Sequence, residues 1–169
     1  MWQKLKRILK HRWLDESDTR RAVPPELLQA LTRRVAASEQ RHTGEVRICV
    51  EAGLPMSYLW RGAKARERAV MMFGKLRVWD TEHNNGVLIY LLLADRSIEL
   101  VADRGLNQHV SAAQWQVMVH HLGKAIHDGR YEDGLTQALE EVSAVLVQHF
   151  ALAEGESNPN ELPNAPMLN

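Results

Sequence analysis

The sequence predicts an α/β fold in which helices cover both faces of a small mixed sheet. Three observations favour it. The apolar run at 87–94 has the length of a strand and offers no polar face, as expected of a central strand buried on both sides. Segments 45–52 and 97–103 alternate apolar and polar residues, which is typical of further strands. Segments with apolar residues at helical spacing lie between and after the strands, so the layers form an α/β/α sandwich.

The elements follow one another with recognisable starts and stops. The turn Asp95-Arg96 is short enough to join 87–94 and 97–103 into an antiparallel hairpin at the centre of the sheet. Pro24-Pro25 precedes the first helix of the domain, and Ser111 has the chemistry of a helix N-cap. The expected helices lie at 26–42, at 59–76, from Ser111 to the Asp128-Gly129 break, and at 132–150.

Composition divides the chain into three parts. Residues 1–22 are rich in charge and predict a basic amphipathic N-terminal arm, residues 23–150 form the domain, and residues 151–169 predict a flexible tail rich in Asn and Pro.

Lys+Arg and Asp+Glu both number 21, so no overall charge favours nucleic acid as a partner. The single cysteine, Cys49, sits in an apolar run and is interpreted as a core residue. The N-terminus lacks the long apolar stretch of a secretory signal, so we expect a cytoplasmic protein.

The N-terminal arm leaves two interpretations open. Apolar residues recur at helical spacing among basic ones, at Trp2, Leu5, Ile8, Leu9 and Trp13. Such a helix can lie on anionic lipid, which would place the protein peripherally at the inner membrane through residues 1–13. The alternative is a helix that packs on its own domain.

Several kinds of site can be set aside. The chain contains no G-x-G-x-x-G after a strand, no G-x-x-x-x-G-K-[ST] and no G-x-S-x-G, so phosphate loops and a serine nucleophile elbow are not expected. None of the eight histidines lies in H-E-x-x-H, and Cys49 has no second cysteine with which to bind zinc.

Oxygen-bearing side chains crowd the loop before the central strand. The hairpin should bring Asp103 back beside this loop. Carboxylate and amide oxygens are the ligands that Ca²⁺ and Mg²⁺ prefer. We therefore predict a divalent-cation site whose ligands are Asp80, Glu82, Asn84, Asn85 and Asp103. Arg104 would balance the carboxylates. The alternative is ordinary turn chemistry, since Asn-Gly is a favoured turn dipeptide.

Asp95 and Arg96 lie at the opposite end of the same strand. Ten residues of extended chain span roughly 30 Å, so these two side chains cannot join the loop at Asn85 directly. They form either a second half-site completed by other segments or a turn with a local ion pair.

Short motifs at five places resemble the TPM domain family. They are Thr43-Gly44-Glu45-Val46, Asn85-Gly86-Val87-Leu88, Asp95-Arg96, Arg104-Gly105-Leu106 and Gly129-Arg130-Tyr131-Glu132-Asp133-Gly134. The match covers about residues 24–150. Two longer stretches, 77–90 and 158–163, are similar to a subgroup of small soluble bacterial TPM-domain proteins that are uncharacterised.

The resemblance implies an α/β/α sandwich and several possible activities. Members of the family are described as acid phosphatases, as calcium-binding proteins, or as assembly and repair factors for membrane complexes, and those that bind metal hold it in the loops at the Asn85 end. In this chain Asn84 stands where many relatives have an acidic residue, and Asp103 stands where they have a glycine.

We interpret the protein as a non-catalytic accessory domain that binds a protein partner at the membrane or envelope and uses a divalent cation. One alternative is a metal-assisted phosphatase, in which Arg104 or Arg77 would hold the phosphate. Another is a peripheral membrane protein anchored by its basic N-terminal helix.

Overall fold

The computed structural model describes residues 2–169, which form a mixed sheet with helices packed around it. The helices are α1 (Trp2–Trp13), α2 (Glu16–Ala22), α3 (Pro25–Glu39), α4 (Met56–Trp60), α5 (Ala65–Lys75), α6 (Ala112–His127) and α7 (Tyr131–Phe150). The strands are β1 (Val46–Glu51), β2 (Val87–Leu92), β3 (Ser97–Ala102) and β4 (Met167–Leu168). The predicted α/β/α sandwich is confirmed.

The order of strands in the sheet is β3-β2-β1-β4. β1 and β2 run parallel, with Val46 opposite Val87, and β2 and β3 form the predicted antiparallel hairpin, with Val87 opposite Ala102. All six residues of β1 and all six of β2 are buried, because helices cover both faces of the sheet.

The core has two halves, one on each face of the sheet. Successive side chains of a strand point to opposite faces. Ile89 and Leu91 therefore join α3, α6 and α7, whereas Leu88 and Tyr90 join α4 and α5. Each fully buried large aliphatic side chain contributes about 1.5–3 kcal/mol. Cys49 is buried on the second face, as predicted, and burial raises the pKa of its thiol to about 12.

The C-terminal segment 151–169 differs from the predicted flexible tail. Its last residues form β4, which pairs parallel with β1 so that Cys49 faces Met167. Arg47 of β1 donates hydrogen bonds to the carbonyl oxygens of Pro163 and Ala165. The polar composition suggested disorder, but these backbone and side-chain groups find partners along the edge of β1.

Two other boundaries differ from the sequence expectations. The single helix expected at 59–76 is divided into α4 and α5, because Gly62 adopts a φ of 74° and ends the first of them. The N-terminal arm forms two helices, and Asp15 caps the second in a capping box with Asp18. No helix within residues 2–169 combines the length and the apolar character that a membrane span requires.

Candidate functional site

The loop before β2 and the turn after β3 meet at one end of the sheet with their backbones in close contact. A Cβ on Gly86 would lie 2.0 Å from the carbonyl oxygen of Val78, and one on Gly105 would lie 2.5 Å from that of Asn84. Both positions therefore require glycine. The positive φ of this turn, 50°, belongs to Asn84 and not to the Asn85-Gly86 pair that the turn chemistry suggested.

Asn85 is fully buried and only partly satisfied. Its backbone N–H donates to Thr81 Oγ1 at 3.1 Å, and its Nδ2 donates to Thr43 Oγ1 at 3.0 Å. Its Oδ1 has no hydrogen-bond partner among residues 2–169. A buried acceptor left in this state costs about 1–3 kcal/mol unless water or an ion completes it.

Asp103 repeats the pattern on the neighbouring strand. The side chain is 8 % exposed, and its Oδ1 accepts from the backbone N–H of Arg104 at 2.7 Å, while Oδ2 has no partner in the described part of the chain. The Asp103 N–H donates to the carbonyl oxygen of Gly86 at 2.9 Å, which pairs the backbone of Asp103 with the residue that follows Asn85. Two residues at the same end of the sheet thus each keep one buried oxygen without a partner among residues 2–169.

The two other predicted carboxylates point to solvent. Asp80 is exposed and pairs with Arg77. Glu82 is also exposed, and its backbone N–H donates to Glu161 Oε1 at 3.0 Å. Across residues 2–169, no three His, Cys, Asp or Glu side chains come together as in a metal centre. The structure therefore does not assemble Asp80, Glu82 and Asp103 into one carboxylate cluster.

Arg104 interacts with an amide and not with the carboxylates that it was expected to balance. Its Nε and Nη2 donate to Asn84 Oδ1 at 3.2 and 3.1 Å. Beside this pair lies a cavity of about 320 Å³, lined by His83, Asn84, Arg104, Gly105, Gln108, His109 and Phe150. The His109 ring stacks on that of His149, with centroids 4.7 Å apart. A guanidinium and two imidazoles on one cavity suit an anionic group.

Two buried carboxyl groups at the same end serve the fold. Glu39 Oε1 accepts from the backbone N–H of Val46 at 3.0 Å, and burial raises the pKa of Glu39 to about 8. Burial also raises the pKa of Glu45, whose Oε2 accepts from the backbone N–H of Leu162 at 3.1 Å. These groups hold the start of β1 and the C-terminal segment.

Asp95, at the opposite end of β2, is bound by α1. Arg7 Nη2 and His11 Nε2 each lie 2.8 Å from its carboxylate oxygens. Burial opposes ionisation of Asp95, but the hydrogen bonds from His11 and Arg7 outweigh it and lower its pKa. Arg96 does not pair with Asp95. It adopts a φ of 47° and donates to the carbonyl oxygen of His127 at 3.0 Å, so the turn is confirmed but the local ion pair is wrong.

Glu51 at this end is also fully engaged. Its carboxylate accepts from Arg68 at 2.7 and 2.6 Å, from the Tyr90 hydroxyl at 2.7 Å and from Asn169 Nδ2 at 2.8 Å. Burial alone would raise the pKa of Glu51, but these hydrogen bonds, led by that of Arg68, lower it. The carboxylates at the Asp95 end are therefore structural.

Sequence reasoning missed several residues that shape the site. Thr43 and Thr81 hold Asn85, and His11 holds Asp95. Thr43 carried a signal, since it opens the Thr-Gly-Glu-Val motif before the first strand. Thr81 lies in the 77–90 stretch that resembles the subgroup, but that resemblance assigned it no role. His11 stands in no comparable pattern, and its partner Asp95 lies too far along the chain to be inferred from spacing.

Comparison with known proteins places the fold and the family. The chain superimposes on the BA42 protein from the psychrophilic bacterium Bizionia argentinensis, solved by NMR, with a TM-score of 0.69 and 24 % identity over 82 % of this chain and 90 % of that one. It also resembles the N-terminal domain of a protein from P. gingivalis, with a TM-score of 0.60 and 19 % identity over 74 % of this chain and 78 % of that one. Both likenesses concern the fold alone.

The family of the chain follows from a comparison of its sequence with models of protein families. No curated protein matches the chain at a significant level. The model of the TPM domain, however, matches residues 17–145, which is most of the chain and includes the loop before β2 and the turn after β3. The chain therefore belongs to the TPM domain family.

Proposed function

We propose that this protein is a non-catalytic accessory domain that binds a divalent cation, Ca²⁺ or Mg²⁺, at the Asn85 end of the sheet, and that the cation-bound loops contact a protein partner at the cell envelope. One observation carries the proposal: Asn85 Oδ1 and Asp103 Oδ2 are both buried at this end of the sheet, and neither has a partner among the described residues. Amide and carboxylate oxygens are the donors that these hard cations select.

The donor set suits weak binding. Only Asp103 brings a negative charge, because Asp80 is paired with Arg77 and Glu82 is exposed to solvent. The amide oxygen of Asn84 is used by Arg104. Affinity for Ca²⁺ rises with the number of charged ligands, and sites poor in charge bind with dissociation constants of about 0.1–1 mM. Such a site would be filled where the cation is abundant, which fits work near the envelope.

A bound cation would act on the loops and not on a substrate. It would neutralise Asp103 and satisfy the free oxygen of Asn85, so the loop before β2 and the turn after β3 would be held together more firmly. The surface that these loops present, including His83 and Arg104, would then be ordered for a partner.

An alternative is a phosphatase that uses the same end of the sheet. The cavity of about 320 Å³ favours it, because Arg104, His83 and His109 line it and could hold a phosphate. A cation at Asp103 would supply Lewis-acid chemistry to a phosphoryl oxygen. This alternative ranks second because the Arg104 guanidinium already donates to Asn84.

The test is a thermal unfolding series in EDTA and then in rising concentrations of Ca²⁺, Mg²⁺ and Mn²⁺. If the dissociation constant is about 0.1 mM, then about 10 mM cation stabilises the native state by about 2.7 kcal/mol. That corresponds to an increase in Tm of about 5–10 °C for a domain of this size.

Two variants make the test specific. Asp103→Asn keeps the acceptor for the Arg104 N–H but removes the charge, so the response to cation should disappear. Asp80→Asn is the matched control and should respond like the wild type, because Asp80 is exposed and paired with Arg77. An unchanged Tm in all three cations would reject the site. Turnover of a phosphate ester that needs cation, Asp103 and Arg104 would favour the phosphatase instead.

A further inference from the structure

One face of α1 carries large apolar side chains that point away from the protein. Trp2, Leu5, Leu9 and Trp13, here called the α1 stripe, are 69, 49, 56 and 87 % exposed. At about 100° per residue these four positions fall within roughly 80° of the helix circumference. Isolated exposed apolar residues are ordinary, but a contiguous stripe along a whole helix marks an interaction surface.

The polar face of α1 docks the helix onto the domain. His11 lies about 180° around the helix from the centre of the α1 stripe, and it is buried. The backbone N–H of Leu54 donates to His11 Nδ1 at 3.0 Å, so the ring proton is on Nε2 and points to Asp95. Arg7 adds its own bond to Asp95 at 2.8 Å. These contacts orient α1 so that its stripe faces outward.

The backbone around this contact is fitted to the helix. A Cβ on Gly53 would lie 2.5 Å from the carbonyl oxygen of His11, so the loop after β1 approaches α1 as closely as glycine allows. The helix is thus held on the domain through charged and backbone groups together with Ile8, which packs partly against the second half of the core. The four residues of the α1 stripe remain exposed, whereas the large apolar residues of a surface helix usually face the core.

Basic side chains accompany the stripe. Lys6, Lys10 and Arg12 are exposed on α1 and flank it on the helix circumference, and the helix contains no Asp or Glu. The stripe also continues into a groove of about 980 Å³, which Leu9 and Trp13 line together with Leu27, Leu93 and Tyr131. The apolar surface is therefore wider than one helix and is bordered by positive charge along α1. The far side of the groove carries both charges, with Arg96 and Arg130 near Glu132 and Asp133.

We propose that the α1 stripe binds the surface of an anionic phospholipid bilayer, with Trp2, Leu5, Leu9 and Trp13 inserted at the level of the headgroups. Trp and Leu on one side with Lys and Arg beside them are the composition of helices that lie in the membrane interface. A second copy of the chain is a poorer occupant, because it would bring the same positive charges to the same surface. The inference goes beyond the proposed cation site and does not depend on it.

The test is flotation of the full chain with vesicles of phosphatidylglycerol and phosphatidylcholine, compared with vesicles of phosphatidylcholine alone. Binding is expected to the anionic vesicles and to weaken as salt is raised. Each Lys or Arg near an anionic surface strengthens binding about fivefold, so the triple variant Lys6→Ala, Lys10→Ala, Arg12→Ala should lose about 100-fold. The double variant Trp2→Ser, Trp13→Ser should lose at least about tenfold.

Matched controls lie elsewhere on the surface. Trp79 is 50 % exposed in the loop at the other end of β2, and Arg33, Lys75 and Lys124 are exposed on other helices. Trp79→Ser and the triple variant Arg33→Ala, Lys75→Ala, Lys124→Ala should bind like the wild type. All the substituted residues are exposed, so circular dichroism and Tm should be unchanged.

Two results would overturn the proposal. One is a wild-type chain that does not float with phosphatidylglycerol vesicles. The other is a stripe variant that floats as well as the wild type. In either case sedimentation velocity without lipid, on the wild type and on Trp2→Ser, Trp13→Ser, would show whether the stripe joins two copies of the chain instead.

Discussion

The two ends of the central strand β2 carry similar side chains in very different states. At the Asp95 end, Asp95 is bound by Arg7 and His11, and Glu51 is bound by Arg68, Tyr90 and Asn169. At the Asn85 end, Asn85 and Asp103 are also buried, but each keeps an oxygen without a partner in the described chain. A candidate ligand site is therefore distinguished by buried oxygen atoms that lack a hydrogen-bond partner. The number of acidic residues does not distinguish it from a structural network.

The difference arises from what covers each end. α1, α5 and the C-terminal residue Asn169 reach the Asp95 end and contribute cationic and amide donors. The Asn85 end is closed by loops, whose nearest guanidinium, that of Arg104, is used by Asn84. A partner for the free oxygens of Asn85 and Asp103 must therefore be a bound ion, a water molecule or another external group.

The largest loss of stability is expected at the Asp95 end, where the Glu51 carboxylate is buried. Arg68→Ala leaves the carboxylate of Glu51 buried without its cation, and removing one partner of a buried pair costs about 3–5 kcal/mol. Urea unfolding measures the loss. Arg61→Ala is the control, because Arg61 and Glu67 form an exposed pair and such pairs contribute about 0–1 kcal/mol. Similar losses for both variants would show that the Glu51 network does not hold this end.

A smaller loss of stability is expected when the contact between α1 and Asp95 is removed. Asp95→Ala removes the acceptor of Arg7 and His11, and hydrogen bonds to charged groups contribute about 1.5–3 kcal/mol. Hydrogen exchange should speed up in α1 more than in α6. Asp128→Ala, which removes an exposed pair, should leave both helices unchanged. Uniform acceleration in both helices would contradict a docking role limited to α1.

The stability of the protein should depend on pH through two buried groups at the Asn85 end, Glu39 and His42. Burial raises the pKa of Glu39 to about 8 and lowers that of His42 to about 4. Between pH 6.5 and 8 the folded state keeps the Glu39 proton that the unfolded state has lost, so stability should fall as pH rises, by at most about 1.4 kcal/mol per pH unit. His42 has little effect near pH 8, where it is neutral in both states. Towards pH 6.5 and below it opposes Glu39, since only the unfolded state charges it.

Glu39→Gln checks this pH dependence. The variant keeps an oxygen to accept from the backbone N–H of Val46 but cannot titrate. Urea unfolding at pH 6.5, 7.2 and 8 should show a flatter profile than that of the wild type. A wild-type profile that rises over this range would show that Glu39 is ionised in the folded state.

The smallest change in the free energy of unfolding is expected for a substitution of Asp103 in the absence of cation. Asp103→Asn in EDTA should change the free energy of unfolding by less than about 1 kcal/mol, because the second carboxylate oxygen has no bond to lose. Asp95→Asn in the same buffer should cost more. If Asp103→Asn destabilises the protein by more than about 2 kcal/mol without cation, the carboxylate is part of the fold and the contrast between the two ends disappears.

Local patterns were read correctly from the sequence where a few neighbouring residues decide the structure. The apolar run became β2, and the Asp95-Arg96 turn joined it to β3. Ser111 caps α6 as expected, with its hydroxyl accepting from the Gln114 N–H at 3.2 Å. For the predicted ligand set, hairpin geometry correctly placed Asn85 and Asp103 at the same end of the sheet, but spacing could not show that Asp80 pairs with Arg77.

By itself, the sequence determined the strands, most of the helices, the hairpin and the family, since periodicity, caps and turn residues act over a few positions. Only the tertiary structure decided which polar groups are satisfied. Asn169 reaches Glu51 across 118 positions, and Arg7 reaches Asp95 across 88. Long-range contacts also order the end of segment 151–169 as β4 and orient the α1 stripe towards solvent. The physical reason is that a hydrogen-bond partner is chosen by proximity in the folded chain, which no local pattern encodes.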